Sequence, residues 1–399
     1  MRYRDPIVRS CALFIMVLGS LASAQEVGSR VADPVRDKEN RFTKGRPVHF
    51  VRTRVMKRGP KKGDRMILTY NYRYLNARCE EVLIVKSGWS KAMPFRDGRA
   101  AVLWKESGKW GYMDEEGMLV IPAVFHHAND FSDGLALVAT QPKRKGIVFI
   151  DTSGKTVLTP PEEMKISYAT FREGFASVSV KSGRALIDHK GKKLNDRDYA
   201  NCGYFSEGLC AVQPKDEGFH YIDKTGKVII PGPFKYGRPF KRGFARVEDE
   251  NRNRFVIDRT GKKIFAVVAD SLDGAFGEGL FAKYDAGKKL FGYIDKSGAW
   301  IIPAQFRKAH RFSDGLAAVT LLPGKKPKSE GFKALATFKP TIYVWNYIDK
   351  QGKVVLKQQG AWANVFDNGV TRVNTADDHT KFIRKDGTIA WTSQTSSPH

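Results

Sequence analysis

After its first two dozen residues this chain has no stretch apolar enough to cross a bilayer, so nothing in the rest of it reads as a membrane-spanning helix. Cysteine is scarce, four in 399 residues, and no Cys-x-x-Cys or Cys/His grouping offers zinc its ligands. No apolar period of 3.6 runs through residues 91–390, which removes helical bundles and helical arrays. Gly-x-Ser-x-Gly, His-Glu-x-x-His and phosphate-loop patterns are missing too. Gly154-Lys155-Thr156 imitates the end of a phosphate loop, but Phe149 stands where its first glycine is required. The eight histidines are scattered, with His126-His127 the one adjacent pair. These absences lead us to expect no catalytic residue, no metal and no cofactor.

Acidic residues are the other shortage. Against 68 Lys and Arg stand 42 Asp and Glu, a formal charge of +26 that draws a protein to polyanions whatever its evolved partner. The first segment carries Arg2, Arg4 and Arg9, an apolar run from Cys11 to Leu21, and the small-residue site Ala22-Ser23-Ala24. Together they read as a cleaved secretory signal peptide over 1–24, whose loss leaves +24. Export puts Cys79, Cys202 and Cys210 in an oxidising compartment. Cys202 and Cys210 flank one turn and are the best-placed bridge, with free buried thiols as the alternative. Basic clusters at Lys143-Arg144-Lys145 and at Lys325, Lys326 and Lys328 are the candidate contacts for an anionic partner; solvated loops are the plain alternative.

What the chain has in quantity is a repeated phrase: an aromatic, a pair of residues, Gly, then an apolar strand, as in Phe131-Ser-Asp-Gly134 and Phe171-Arg-Glu-Gly174. Its Gly recurs at 98, 134, 174, 208, 243, 279, 315 and 369, in steps of 36, 40, 34, 35, 36, 36 and 54. A second phrase, apolar-Ile-Asp-x-x-Gly, keeps pace with Asp at 114, 151, 188, 223, 258, 295 and 349. Two signals sharing one period mean a tandem array. Two β-rich runs joined by Asp-x-x-Gly read as a hairpin, in which the carboxylate takes backbone N–H groups and Gly supplies a positive φ. We therefore assign turn roles to Asp114, Asp151, Asp223, Asp258 and Asp295, and to Gly134, Gly174 and Gly208. Recurrence at that regularity argues for turn chemistry over catalysis. One carboxylate per turn also falls short of the six to eight oxygens that calcium takes.

The unit Lys109-Trp-Gly-Tyr-Met-Asp-Glu-Glu-Gly-Met-Leu-Val-Ile-Pro122, followed by Phe131-Ser-Asp-Gly-Leu-Ala-Leu-Val138, resembles the WG-repeat family of bacterial β repeats; Phe291 to Val319 is the other close copy. The naming dipeptide is intact at Trp110-Gly111, near at Phe291-Gly292 and Trp345-Asn346, and drifted at Ile147-Val148, Arg184-Ala185, Phe219-His220 and Arg254-Phe255. The resemblance covers about 91–391. It implies exported or surface-associated proteins without one shared activity, and so it speaks to architecture more than to mechanism.

The expected fold is all-β. Tandem repeats of about 36 residues, each a three-stranded antiparallel meander, stack as a propeller-like toroid or an open β superhelix. The expected organisation is a signal peptide at 1–24, a basic flexible arm at 25–65, an N-terminal cap at 66–90, the array at 91–391 with an insertion at 322–341, and a tail at 392–399. The function this suggests is an exported binding or interaction scaffold at the cell envelope, secreted or periplasmic. Its partner would be a protein or an anionic envelope polymer such as lipopolysaccharide or an acidic glycan, nucleic acid being disfavoured. The rivals are a glycan-directed enzyme with a central cleft and an envelope structural protein held by charge. Export has a direct check: N-terminal sequencing of the secreted protein should begin at Gln25, and an intact Met1 on a membrane-bound form would refute cleavage.

Overall fold

The computed structural model describes residues 49–57, 67–85, 88–161, 164, 169–195, 197–267, 275–321, 345–357, 362–374 and 380–393. The expected signal peptide, the insertion 322–341 and residues 394–399 of the tail lie outside them.

Turn chemistry sets the elements. In Asp151-Thr-Ser-Gly154 the Asp151 carboxylate accepts the backbone N–H groups of Ser153 (2.9 Å) and Lys155 (3.0 Å) and the Ser153 hydroxyl (2.6 Å). Asp223, Asp258 and Asp295 repeat the same set, and Asp114 accepts the N–H of Met118. The Phe-x-x-Gly turn is a two-residue hairpin turn with both central residues left-handed, as at Asp133 (φ 53°) and Gly134 (φ 75°). That is the type I′ geometry that matches the twist of paired strands. A Cβ on Gly134 would meet nothing within 4 Å, so the need for Gly there is conformational.

The chain forms two compact units, one up to Pro161 and the other from Phe171 on, apart from the join at 162–170. In the first, a three-stranded sheet (His49–Lys57, Ile67–Leu75, Glu81–Val85) precedes two four-stranded sheets. These are Trp89–Ala92, Ala100–Trp104, Trp110–Met113 and Leu119–Phe125, then His127–Ala128, Leu135–Gln141, Lys145–Asp151 and Thr156–Leu158. The second unit opens with the pair Phe175–Val180 and Gly183–Asp188. It continues through five four-stranded sheets over 201–234, 236–267, 275–306, 308–356 and 362–392. All pairings run antiparallel between consecutive strands, and the four-stranded antiparallel sheet is the blade from which β-propellers are built.

The expected three-stranded unit is therefore corrected to four strands. The extra one precedes the Phe-x-x-Gly phrase and is often two residues long: His127 and Ala128 face Ala139 and Val138, and Lys308 and Ala309 face Thr320 and Val319. Two residues show no period-2 alternation, so the strand leaves no mark in sequence. The unit at 175–199 departs the other way: its last strand shrinks to two single bridges onto Gly183–Asp188, Ile187–Lys193 and Arg184–Tyr199. A further correction concerns the arm. His49–Lys57 pairs over its whole length with Ile67–Leu75, so the first sheet starts inside the stretch read as flexible, where dense charge had masked the alternating pattern.

Between sheets the bonding is by side chains. The buried Tyr of the Trp-Gly-Tyr strand donates its hydroxyl to a carbonyl 17 residues ahead on the next sheet. The pairs are Tyr112 to Asn129 (2.7 Å), Tyr221 to Arg238 (2.7 Å), Tyr293 to His310 (2.8 Å) and Tyr347 to Asn364 (2.8 Å). Each ring also meets the Phe of the next Phe-x-x-Gly turn, with centroids 4.8 to 5.0 Å apart for Phe131, Phe240, Phe312 and Phe366. Such tilted aromatic pairs add to their area burial. Apolar clusters fill the same gaps, for example Leu280, Tyr293, Phe306, Phe312 and Val319 between two sheets of the second unit.

The Trp-Gly dipeptide also has a packing cause. Trp110 pairs with Phe125 and Tyr112 with Ile121, so the outer strand bulges opposite Gly111, with Pro122 inside the bulge. A Cβ on Gly292, the equivalent site, would lie 2.4 Å from the Ile302 carbonyl and 2.7 Å from the Ala304 nitrogen. Where His220 replaces this glycine, Gly232 replaces the alanine across the bulge and donates its N–H to His220 Nδ1 at 2.8 Å. Gly292→Ala should therefore destabilise by about 1–3 kcal/mol, as overpacking against backbone does. Gly203→Ala, whose Cβ would meet only the Ala211 carbonyl at 3.5 Å, should stay within about 0.5 kcal/mol in the same denaturant titration.

Candidate functional site

In each sheet the Phe-x-x-Gly and Asp-x-x-Gly turns lie at one end, and the hairpin between the second and third strands lies at the other. The basic cluster Lys143-Arg144-Lys145 occupies that far hairpin in its sheet, in a single 3-10 turn at Pro142–Arg144, and all three side chains are exposed. Lys325, Lys326 and Lys328 lie outside the described residues.

The turn end holds a feature the sequence reading passed over. The residue before the turn Gly is an acid in most repeats, and its carboxylate leaves its own turn to accept the amide hydrogens of the next. In the first unit Asp97 accepts the N–H of Gly134 at 2.8 Å. In the second, Glu173 accepts Glu207 (2.5 Å) and Gly208 (2.9 Å); Glu207 accepts Arg242 and Gly243; Glu278 accepts Gly315 at 3.0 Å; and Asp314 accepts Gly369 at 2.7 Å. Lysines from the neighbouring Asp-x-x-Gly turns complete two of these rungs, Lys224 at 3.2 Å from Glu173 and Lys350 at 3.1 Å from Glu278. Burial pulls the Glu173 and Glu278 pKa values up, but the amide and lysine hydrogen bonds outweigh it and hold both below the usual carboxylate range. The signal was available as an acid at Gly minus one, at 97, 133, 173, 207, 278 and 314, with Arg242 and Asn368 as exceptions.

Around this ladder the second unit carries an outward row of cations. Each Asp-x-x-Gly turn from Asp188 to Asp349 bears an exposed base beside its Asp: Lys190 and Lys192, Lys224 and Lys227, Arg259 and Lys262, Lys296, and Lys350 and Lys353. In the first unit the equivalent turn Asp114-Glu115-Glu116 is acidic. The turn aspartates keep their carboxylates in their own turns, and at Asp151, Asp223 and Asp295 the Ser or Thr hydroxyl two places on is the chief cause that holds the pKa down.

The expected Cys202–Cys210 bridge is corrected: Cys79, Cys202 and Cys210 are buried free thiols. Cys202 faces Val212 across its strand pair, so Cys210 is only its diagonal neighbour, further than a disulfide spans. Burial raises both thiols, Cys202 and Cys210, which leaves them unreactive. His126 contacts Lys109 and His127 contacts Asn129, and among the described residues no group of His, Cys, Asp and Glu could hold a metal ion. No helix among them is long and apolar enough to cross a membrane.

The family model described as WG containing repeat matches residues 110–140, 221–252 and 291–321, stretches that hold the Tyr, Phe and Gly positions of three repeats. The chain carries WG repeats. No curated protein matches it in sequence. Among solved structures this WG-repeat chain is similar to one described as the crystal structure of the eukaryotic initiation factor, at 12% identity and TM-score 0.50 over 86% of this chain and 96% of that one. It is also similar to BamB from Moraxella catarrhalis, at 11% identity and TM-score 0.36 over 88% and 98%. A europium-containing methanol dehydrogenase matches at 13% identity and TM-score 0.33 over 78% and 80%. At these identities the likeness concerns fold alone.

The ladder has a pH signature. A carboxylate whose folded pKa lies below its unfolded value contributes stability that is present above the unfolded pKa and lost as pH falls through the folded one. Glu173→Gln with Glu278→Gln should lower the melting temperature at neutral pH, and the deficit against the wild-type chain should close between about pH 5 and pH 3. A deficit unchanged at pH 3 would show that the two carboxylates do not act through their charge.

Proposed function

We propose that this WG-repeat protein is an exported binding scaffold that holds an anionic partner at the cell envelope, a protein or a polymer such as lipopolysaccharide or an acidic glycan. The single observation that carries the reading is the row of exposed bases along the Asp-x-x-Gly turns of the second unit, Lys192, Lys227, Arg259, Lys262 and Lys353 among them. The fold asks only for Asp and Gly in these turns, and the acidic turn at Asp114 uses the same geometry, so the bases answer to something other than folding. Lys143, Arg144 and Lys145 would add a basic contact in the first unit, and Lys325, Lys326 and Lys328 are further candidate contacts in the sequence. Export rests on the Arg-flanked apolar run and the Ala-Ser-Ala site.

Binding that works through a positive field weakens as the screening length shrinks to about 8 Å and below at physiological salt. Residues 25–399 should bind lipopolysaccharide and acidic glycan with an affinity that falls steeply across a salt series, and should ignore neutral peptidoglycan fragments. Changing Lys227, Lys262 and Lys353 together to Glu should abolish that binding without lowering the melting temperature. Salt-insensitive binding to the neutral glycan with turnover would overturn the scaffold in favour of an enzyme.

A further inference from the structure

The carboxylate ladder of the second unit has one position where the chain supplies the wrong charge. Where the neighbouring turns have Glu173, Glu207, Glu278 and Asp314, the turn before Gly243 has Arg242. The amides that an acid there would engage are those of Glu278 and Gly279, both left-handed (φ 53° and 91°) and both exposed, and among the described residues neither N–H has an acceptor. Glu278 cannot fold back on them, because its own carboxylate is held by Gly315 and Lys350. The rung's lysine is nevertheless in place. Lys296 holds the turn position that Lys224 and Lys350 hold in their sheets, yet among the described residues it meets no carboxylate and its Nζ lies 5.8 Å from the centre of the Phe276 ring. Arg311 stands close by: burial and the neighbouring Arg242 guanidinium lower its pKa, while the Asp367, Glu278 and Asp314 carboxylates oppose the shift.

Two adjacent amides, the Lys296 ammonium and the Arg242 guanidinium thus hold the positions of a rung that, at Glu173, Glu207, Glu278 and Asp314 in this unit, an Asp or Glu side chain fills. We propose that Arg242, Lys296 and the Glu278 and Gly279 amides bind the carboxylate of an acidic side chain presented by a polypeptide partner. The rungs themselves give the chemistry: a carboxylate accepts two turn amides at 2.5 and 2.9 Å and a lysine at 3.2 Å at Glu173, and the occupant is an acidic side chain in each case. This deepens the scaffold reading by naming the group that the partner presents.

The test supplies the missing rung from within. In Arg242→Glu the new carboxylate should dock on the Glu278 and Gly279 amides, and the Gly279 amide proton should move downfield in the free protein. The wild-type chain should show the same shift on titration with an octa-glutamate peptide, and Arg242→Glu should bind that peptide at least about tenfold more weakly, the loss expected for one charge-assisted pair. A Gly279 amide that does not respond to the peptide, or peptide affinity unchanged in Arg242→Glu, overturns the site. Polygalacturonate moving Gly279 where the peptide does not would overturn the polypeptide source. Salt-dependent binding of lipopolysaccharide that persists in Arg242→Glu keeps the broader reading separate, and its absence from the wild-type chain would sink that reading while leaving this one standing on the Gly279 shift.

Discussion

A carboxylate that crosses from one turn to the amides of the next is the interaction on which the array leans. Among the described residues strand pairing stops at the edge of each sheet, so main-chain bonding alone would leave a string of separate small sheets with their apolar faces uncovered. Joining them takes the tyrosine hydroxyl, the aromatic pairs that its ring makes, and the acid at the turn. The acid sits in a conformation that costs a non-glycine residue roughly 1–2 kcal/mol. Asp tolerates it better than Glu, yet Glu fills it at 173, 207 and 278 with φ between 52° and 55°. A charge-assisted hydrogen bond of about 1.5–3 kcal/mol offsets that strain, and the longer Glu side chain reaches two amides at 173 and 207 where Asp97 and Asp314 reach one.

This interaction explains which parts of the fold could be read in advance. The period, the Asp-x-x-Gly hairpins and the all-β class are local: they depend on residues within one turn or one strand, and each leaves a repeated mark. The fourth strand was not legible because two residues such as His127 and Ala128 carry no alternation, and their pairing is decided by the strand that follows. The carboxylate rungs were visible as letters but not as a bond, since Glu173 and Gly208 are a full repeat apart and only the stacking of sheets brings them together. The Cys202–Cys210 pairing failed for the same reason in reverse. Closeness in sequence across a turn suggested contact, whereas the register sets Cys202 against Val212.

The drift of the Trp-Gly dipeptide follows from its role. Gly111 and Gly292 are needed because the outer strand bulges toward them around a proline, so the constraint falls on the pair of facing positions and not on one residue. At Phe219-His220 the small residue has moved across the bulge to Gly232, and the geometry survives. The aromatic before the glycine pairs with the Phe at the end of the bulged strand, as Trp110 does with Phe125 and Phe291 with Phe306, which Phe or Trp can do equally. The dipeptide is thus a packing device, and its variation carries no information about a ligand.

What remains for function is what folding leaves unconstrained. In an Asp-x-x-Gly turn the Asp carboxylate and the Gly conformation are committed, while the residue after each is free to vary. In the second unit most of those places are basic, Lys192, Lys224, Lys227, Arg259, Lys262, Lys296, Lys350 and Lys353, with His189 and Ala299 the exceptions. Two of these, Lys224 and Lys350, return to the fold by closing rungs on Glu173 and Glu278. The others point outward beside carboxylates that are already satisfied, so their charge is not cancelled by a bonded partner and adds to a field along the turn end. One device therefore serves both purposes: an acid before the glycine ties sheet to sheet, and a base in its place, as at Arg242, turns the same pair of amides toward an anion from outside.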